Sequence, residues 1–179
     1  MLEILDTTLR DGEQTAGVSF NHGEKLSIAK MLLEEALVDR IEIASARVSA
    51  GELEAATDIC QWAKKNGHLG KVEVLGFVDG GASIDWICRA GGKVLNLLAK
   101  GSLHHVSEQL RKTPEQHVAD ITAVVNEAER RKIAVNIYLE DWSNGIQDSP
   151  DYVFFMVDQL KKLPIQRFML PDTLGILNP

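Results

Sequence analysis

Three short stretches of this chain hold residue types able to do chemistry. In Leu9-Arg10-Asp11-Gly12-Glu13-Gln14 an arginine stands beside an aspartate just after the apolar run that begins at Leu2. Adjacent groups of opposite sign suit a site that holds an anionic substrate beside a cation. Glu140-Asp141 closes the run Ala134-Val135-Asn136-Ile137-Tyr138-Leu139, and Asp172-Thr173 closes Arg167-Phe168-Met169-Leu170-Pro171. In all three, an apolar run stops abruptly in polar groups. A strand that delivers side chains to its C-terminal end looks like this, and α/β proteins bind ligands at that end.

The elements that must position these groups alternate along the chain. From Asn21 apolar residues recur at threes and fours (Leu26, Ile28, Ala29, Leu32, Leu33, Ala36), and Asn21 with Glu24 has the form of a capping box. A strand at Asp39 to Ala44 follows. Ser49 to Asn66 reads as a helix stopped by Gly67, then Val72 to Val78 as a strand and Ile84 to Arg89 as a shorter helix. The apolar run Lys93 to Leu98 fits a strand buried on both faces. Thr113-Pro114-Glu115-Gln116 supplies an N-cap, a proline at the first helical position and a glutamine able to close a capping box. Its helix buries Val118, Ile121, Val124, Val125 and Ala128. After the strand ending in Glu140-Asp141, Ser149-Pro150-Asp151 opens another helix in the same way, packed by Val153, Phe154, Met156, Val157 and Leu160. A sixth strand covers Arg167 to Thr173, followed by Leu174 to Pro179.

Six strands alternating with five helices, without a linker, predict one domain with a parallel sheet and right-handed crossovers. Both an open doubly wound sheet and a (β/α)8 barrel fit. A closed barrel gathers strand-end residues on one face, which favours an α/β TIM barrel. A complete one needs about 250 residues, so the 179 residues are expected to hold about six βα units.

Composition excludes other classes. Nineteen basic against 26 acidic residues give a net charge of −7, and no basic run is present, which disfavours nucleic acid and anionic membranes as partners. No segment reaches about 18 consecutive apolar residues, and the N-terminus lacks a secretory pattern, so a cytoplasmic protein is expected. Cys60 and Cys88 lack metal-site spacing and read as reduced core residues.

Leu9-Arg10-Asp11-Gly12-Glu13-Gln14, with Lys25 eleven residues after the glutamine, resembles the N-terminal signature of the α-isopropylmalate and homocitrate synthases, within the metal-dependent barrel lyases and Claisen-condensing enzymes. The segments Glu42 to Ser49, Lys100 to His105, Tyr138 to Gly145 and Leu170 to Gly175 are most similar to the citramalate synthase branch. The resemblance implies condensation of acetyl-CoA with an α-keto acid, pyruvate on this branch, with hydrolysis of the thioester. It implies that Asp11 ligates a divalent metal ion (Mg, Mn or Zn), that Arg10 hydrogen-bonds the keto oxygen and stabilises the forming alkoxide, and that Glu140 helps remove a methyl proton. Thr173 would hold the substrate carboxylate, and Leu75, Leu98 and Tyr138 would shape the pocket for the keto-acid side chain. Isopropylmalate synthases carry a smaller residue at the position of Tyr138, so a tyrosine leaves space for a methyl group only, with a preference worth about 1–3 kcal/mol.

The same enzymes take two further metal ligands from a His-x-His on a later strand, which does not occur here. His104 and His105 are adjacent and read as loop residues. His22, His68 and His117 stand apart. Residues 1–179 are therefore expected to be the N-terminal portion of a single catalytic barrel domain, without its last two βα units and any regulatory domain, and to dimerise when full length. Two competing readings are a 2-isopropylmalate synthase acting on ketoisovalerate and a catalytically silent barrel fragment.

Overall fold

A computed structural model describes residues 2–177. Two compact units divide the chain, one formed by residues 1–76 and 82–95 and the other by residues 77–81 and 96–179. In the first unit β1 (Leu5–Asp6), β2 (Arg40–Ser45) and β3 (Val72–Phe77) pair in parallel, with Leu5 beside Arg40 and Glu42 beside Glu73. Helices α1 (His22–Lys30), α2 (Ala50–Lys65) and α3 (Ala82–Ala90) alternate with them. β4 (Val94–Lys100) runs from the first unit into the second, where α4 (Pro114–Arg130), β5 (Ala134–Glu140), α5 (Trp142–Asp148), α6 (Pro150–Leu160) and β6 (Ile165–Met169) follow. β5 and β6 pair in parallel, Asn136 beside Arg167 and Tyr138 beside Met169.

The helix starts form for the reasons their sequences give. Asn21 accepts from the Glu24 amide while the Glu24 carboxylate accepts from Asn21 N–H, so both halves of the capping box are made, and Thr113 with Gln116 does the same for α4. The buried stripe of α4 is His117, Ile121, Val124, Val125 and Ala128. Along α1 it is Lys25, Ala29 and the following Leu33, so of the apolar residues read as its stripe only Ala29 and Leu33 are buried, Ala36 is exposed, and a lysine joins them.

Several expectations are corrected. β1 keeps only two residues, and β6 ends at Met169 because Pro171 has no N–H to give a neighbouring strand. Helix α5 was not anticipated. Ser149 does not cap α6: its hydroxyl donates back to the Gly145 carbonyl at 3.2 Å. Phe154 is exposed rather than packed. His104 and His105 belong to a helical turn that runs on to Leu110, not to a loop. Cys60 is buried, which pushes its thiol up to about 12, whereas Cys88 is exposed, and both are free thiols. Of the tail read as 174–179, the last two residues lie outside the described part. Among the described residues no helix is long and apolar enough to cross a membrane.

One close approach shapes the second unit. A Cβ on Gly101 would stand 2.7 Å from the Leu139 carbonyl oxygen, and one on Gly145 would collide with the Gly101 carbonyl. Only glycine at both positions lets the chain leaving β4 press against the end of β5 and the start of α5.

Candidate active site

In the first unit the site is built on the turn after β1. Arg10 N–H, Asp11 N–H and Gly12 N–H all converge on the Thr7 carbonyl at 2.8–3.1 Å, which curls the chain so that Arg10 folds back over β2. Its Nε donates to Glu42 Oε2 at 2.5 Å and its Nη1 to Asp11 Oδ1 at 2.6 Å. Glu42 is fully buried and Asp11 is 60% exposed. The guanidinium is thus anchored on its inner side by a carboxylate in mid-strand and faces outward beside a second. A buried charge needs such a partner. Glu73, beside Glu42 in the sheet, meets the same requirement with two hydrogen bonds from Arg40 Nη1, at 3.0 and 3.3 Å.

Lys25 secures the same turn from below. It is 2% exposed, its Nζ lies 2.5 Å from Glu13 Oε2, and it also pairs with Glu52 of α2. Glu13 accepts from the Phe20 N–H at 3.0 Å as well. Both acids of this triad also line a hollow of about 350 Å³, together with Arg10, Gln14, Ser45 and Ser49, among others.

In the second unit the chemistry sits at the ends of β4 and β5. Lys100 Nζ is ion-paired with Glu140 Oε2, and lower on the same face Asn136 Nδ2 donates to Asn96 Oδ1 at 2.9 Å. Strand alternation puts Leu98 and Tyr138 on that face between the two bonds, and both are half-buried. Directly after Glu140 the chain turns through Asp141, which has φ +65°, a left-handed conformation that aspartate tolerates better than most residues. Its side chain fixes the turn: Ser102 Oγ donates to Asp141 Oδ2 and Asn144 Nδ2 to Oδ1, each at 2.7 Å. His105 Nε2 lies 3.5 Å from Asp141 Oδ2. Asp141 N–H donates to Thr173 Oγ1 at 3.1 Å. The Asp172 carboxylate, accepting from Ser143 and from the amides of Leu177 and Ile176, is held below the usual range.

His117 reaches from α4 to accept the Lys100 N–H at Nε2, 3.1 Å away. Burial, reinforced by the Lys112 charge, pushes its pKa down from 6.5 to about 4. Between those values the unfolded chain binds the proton and the folded one does not. The stability that neutral His117 provides is complete above pH 6.5 and is lost as pH falls toward 4, at no more than about 1.4 kcal/mol per pH unit. Urea melts at pH 7 and 5 should show a steeper loss for the unmodified chain than for His117→Gln; equal slopes would contradict this.

The residues singled out from sequence are therefore distributed as follows. Arg10 and Asp11 are in contact in the first unit, and Leu75 is buried there in β3 at 6% exposure. Leu98, Tyr138 and Glu140 share one face in the second unit, where Thr173 bonds the residue after Glu140. Sequence reading missed Glu42, Lys25 as a buried cation, Lys100 and His117. Glu42 did carry a signal, an acid inside Ile41-Glu42-Ile43-Ala44, a strand otherwise apolar throughout. Among the described residues no three His, Cys, Asp or Glu side chains converge as metal ligands. Asp11 is a single exposed carboxylate already engaged by Arg10, so the residues present do not make a metal site.

Parallel strands alternating with helices, charged groups at the strand ends and this order of elements define the (β/α)8 barrel class, with six strands among the described residues. The chain belongs to the HMGL-like family, whose profile matches residues 1–179. It is 33% identical over 180 residues to (R)-citramalate synthase CimA of Methanocaldococcus jannaschii, covering 100% of this chain and 35% of that protein. To 2-isopropylmalate synthase of Geobacillus thermodenitrificans it is 32% identical over 181 residues, covering 99% of this chain and 34% of that protein. The chain spans about a third of the length of these relatives. Its fold is that of hydroxymethylglutaryl-CoA lyase from Pseudomonas aeruginosa, with TM-score 0.78 at 18% identity, covering 99% of this chain and 59% of that one. HMG-CoA lyase from Acinetobacter baumannii, solved in complex with coenzyme A and 3-methylmalate, gives TM-score 0.74 at 23% identity, covering 100% and 59%.

Proposed function

We propose that the protein carrying this chain is an acyl-CoA-dependent synthase that joins the methyl carbon of acetyl-CoA to the keto carbon of pyruvate, releasing citramalate and CoA. The observation that carries the reading is the anchored Arg10-Asp11 pair at the end of β1, with its guanidinium fixed by buried Glu42. Relatives named as citramalate and 2-isopropylmalate synthases support the reaction class, and a neighbour solved with coenzyme A supports the thioester as co-substrate.

In this reading the Glu140 carboxylate takes a methyl proton, and the resulting carbon attacks the keto carbon. The keto oxygen gathers negative charge as the carbon–carbon bond forms. Arg10 meets it with donors already in place, so no reorganisation is needed at the moment of reaction. Thr173 holds the substrate carboxylate through its hydroxyl. The alkoxide then takes a proton from solvent to become the product hydroxyl, and water cleaves the thioester, which releases CoA as its thiol and draws the condensation forward. Asp11 is proposed as one carboxylate ligand of a divalent cation. Since the described residues supply no second or third ligand, no step is assigned to a metal. Residues 1–179 form the N-terminal portion of the catalytic barrel in this reading, and the full-length protein is a cytoplasmic homodimer.

Substrate size is set in this proposal by Leu75, Leu98 and Tyr138. The alternative, 2-isopropylmalate formation from ketoisovalerate, draws on the relatives of that name, and Tyr138 argues against it. Thiol release by the full-length protein should favour pyruvate. Tyr138→Gly should shift the ratio of kcat/KM toward ketoisovalerate by about 10–200-fold, the range that one methylene of fit provides. An unmodified protein that prefers ketoisovalerate would refute the assignment of Tyr138.

A further inference from the structure

We propose that Lys100 is the positioning residue for Glu140, its ammonium seating the carboxylate while two helices lock the main chain from which it extends. The inference rests on the reading of Glu140 as the proton acceptor. Lys100 ends β4 and Glu140 ends β5, and their ion pair is only partly exposed, 19% and 27%. A pair of long side chains at a surface ordinarily moves too freely to fix anything. Here the lysine peptide is held on both sides. Its N–H donates to His117 of α4 at 3.1 Å, and its carbonyl accepts from the Tyr152 hydroxyl of α6 at 2.7 Å. His117 is 1% and Tyr152 5% exposed.

Two buried polar side chains from different helices thus converge on the backbone of one residue. The next residue closes the arrangement: Gly101 N–H donates to the Glu140 carbonyl at 2.6 Å. With both main chains fixed, the pairing of the ammonium with Glu140 Oε2 depends only on the two side-chain stems that span between them. Oε1 is left to accept the proton. Orientation of this kind acts on the chemical step more than on substrate affinity.

The test uses the full-length protein with pyruvate and acetyl-CoA. Lys100→Met should lower kcat about 10–100-fold with KM for both substrates within about 2-fold, the pattern of an interaction used only in the transition state. Lys100→Arg should recover most of the loss. Tyr152→Phe keeps the buried ring and removes only the hydroxyl, so it should lower kcat about 3–10-fold by the same split. A kcat for Lys100→Met within about 2-fold of the unmodified value overturns the proposal, as does a loss carried by KM.

A second readout does not depend on turnover. The 15N resonance of the Lys100 ammonium, identified by its absence in Lys100→Arg, should move when Glu140→Gln removes the charge it faces. An unmoved resonance overturns the pairing. A moved resonance in a protein that condenses no keto acid supports the pairing and refutes the proposed function instead.

Discussion

Arg10→Lys is expected to lower kcat for keto-acid condensation by about 10²–10³-fold, the usual loss when one preorganised donor to a developing oxyanion is removed. A lysine keeps the charge and has the length to reach one carboxylate. It cannot span both, because the arrangement needs Nε on Glu42 and Nη1 on Asp11 at once, and only a planar guanidinium presents donors at fixed angles in this way. An ammonium drawn to either acid is moved off the keto oxygen. The fold should tolerate the change, since positive charge beside Glu42 is kept, so the melting temperature should move by no more than about 4 °C, about 1 kcal/mol for a chain of this size. Stopped assays of thiol release alongside thermal melts check both halves. A kcat within about 5-fold of the unmodified value would remove Arg10 from the chemistry.

Lys25→Met should cost about 3 kcal/mol of stability, on the order of 10 °C in melting temperature. The lysine is 2% exposed between Glu13 and Glu52, which are 22% and 20% exposed. A methionine fills the same stem volume without charge and leaves two acids facing one another where a cation had joined them. Breaking a buried pair costs about 3–5 kcal/mol, and the partial exposure of both acids places this case at the lower end. Because Glu13 belongs to the turn that carries Arg10 and Asp11, the loss should also loosen that turn and raise KM for the keto acid. Adding Glu52→Gln to Lys25→Met should recover part of the stability by removing the repulsion. A single variant that melts within about 2 °C of the unmodified protein would show that the ion triad contributes nothing.

What was readable from sequence and what was not follow from range. The capping boxes at Asn21 and Thr113 are complete within four residues, so their letters carry the whole interaction. The six strands announced themselves by apolar runs. Helix α5 did not, because Trp142-Ser143-Asn144-Gly145-Ile146-Gln147-Asp148 has no apolar period and contains a glycine; its place is set by the close approach of Gly145 to Gly101, 44 residues earlier in the chain. Ser149-Pro150 carries the letters of a cap, yet α5 arrives just before it and takes the Ser149 hydroxyl for the Gly145 carbonyl.

The candidate site divides along the same line. Arg10, Asp11 and Glu140 were visible as polar groups at strand ends. Their partners Glu42 and Lys100 lie 32 and 40 residues away in sequence, and strand neighbourhood alone brings them near. Lys25 sits on the apolar stripe of α1, where periodicity leads one to expect a hydrocarbon, and only its two acids from other elements explain it. Resemblance to the condensing synthases supplied roles for the strand-end groups. It supplied no role for the charges that hold them.

The most direct test of the central claim is to incubate the full-length protein with methyl-deuterated acetyl-CoA and pyruvate and to follow free thiol and product together. One thiol should be released per citramalate formed, with two of the three methyl deuterons retained in the product and no thiol released when pyruvate is left out. Thiol release that does not depend on a keto acid, or its absence with pyruvate and ketoisovalerate alike, would contradict it.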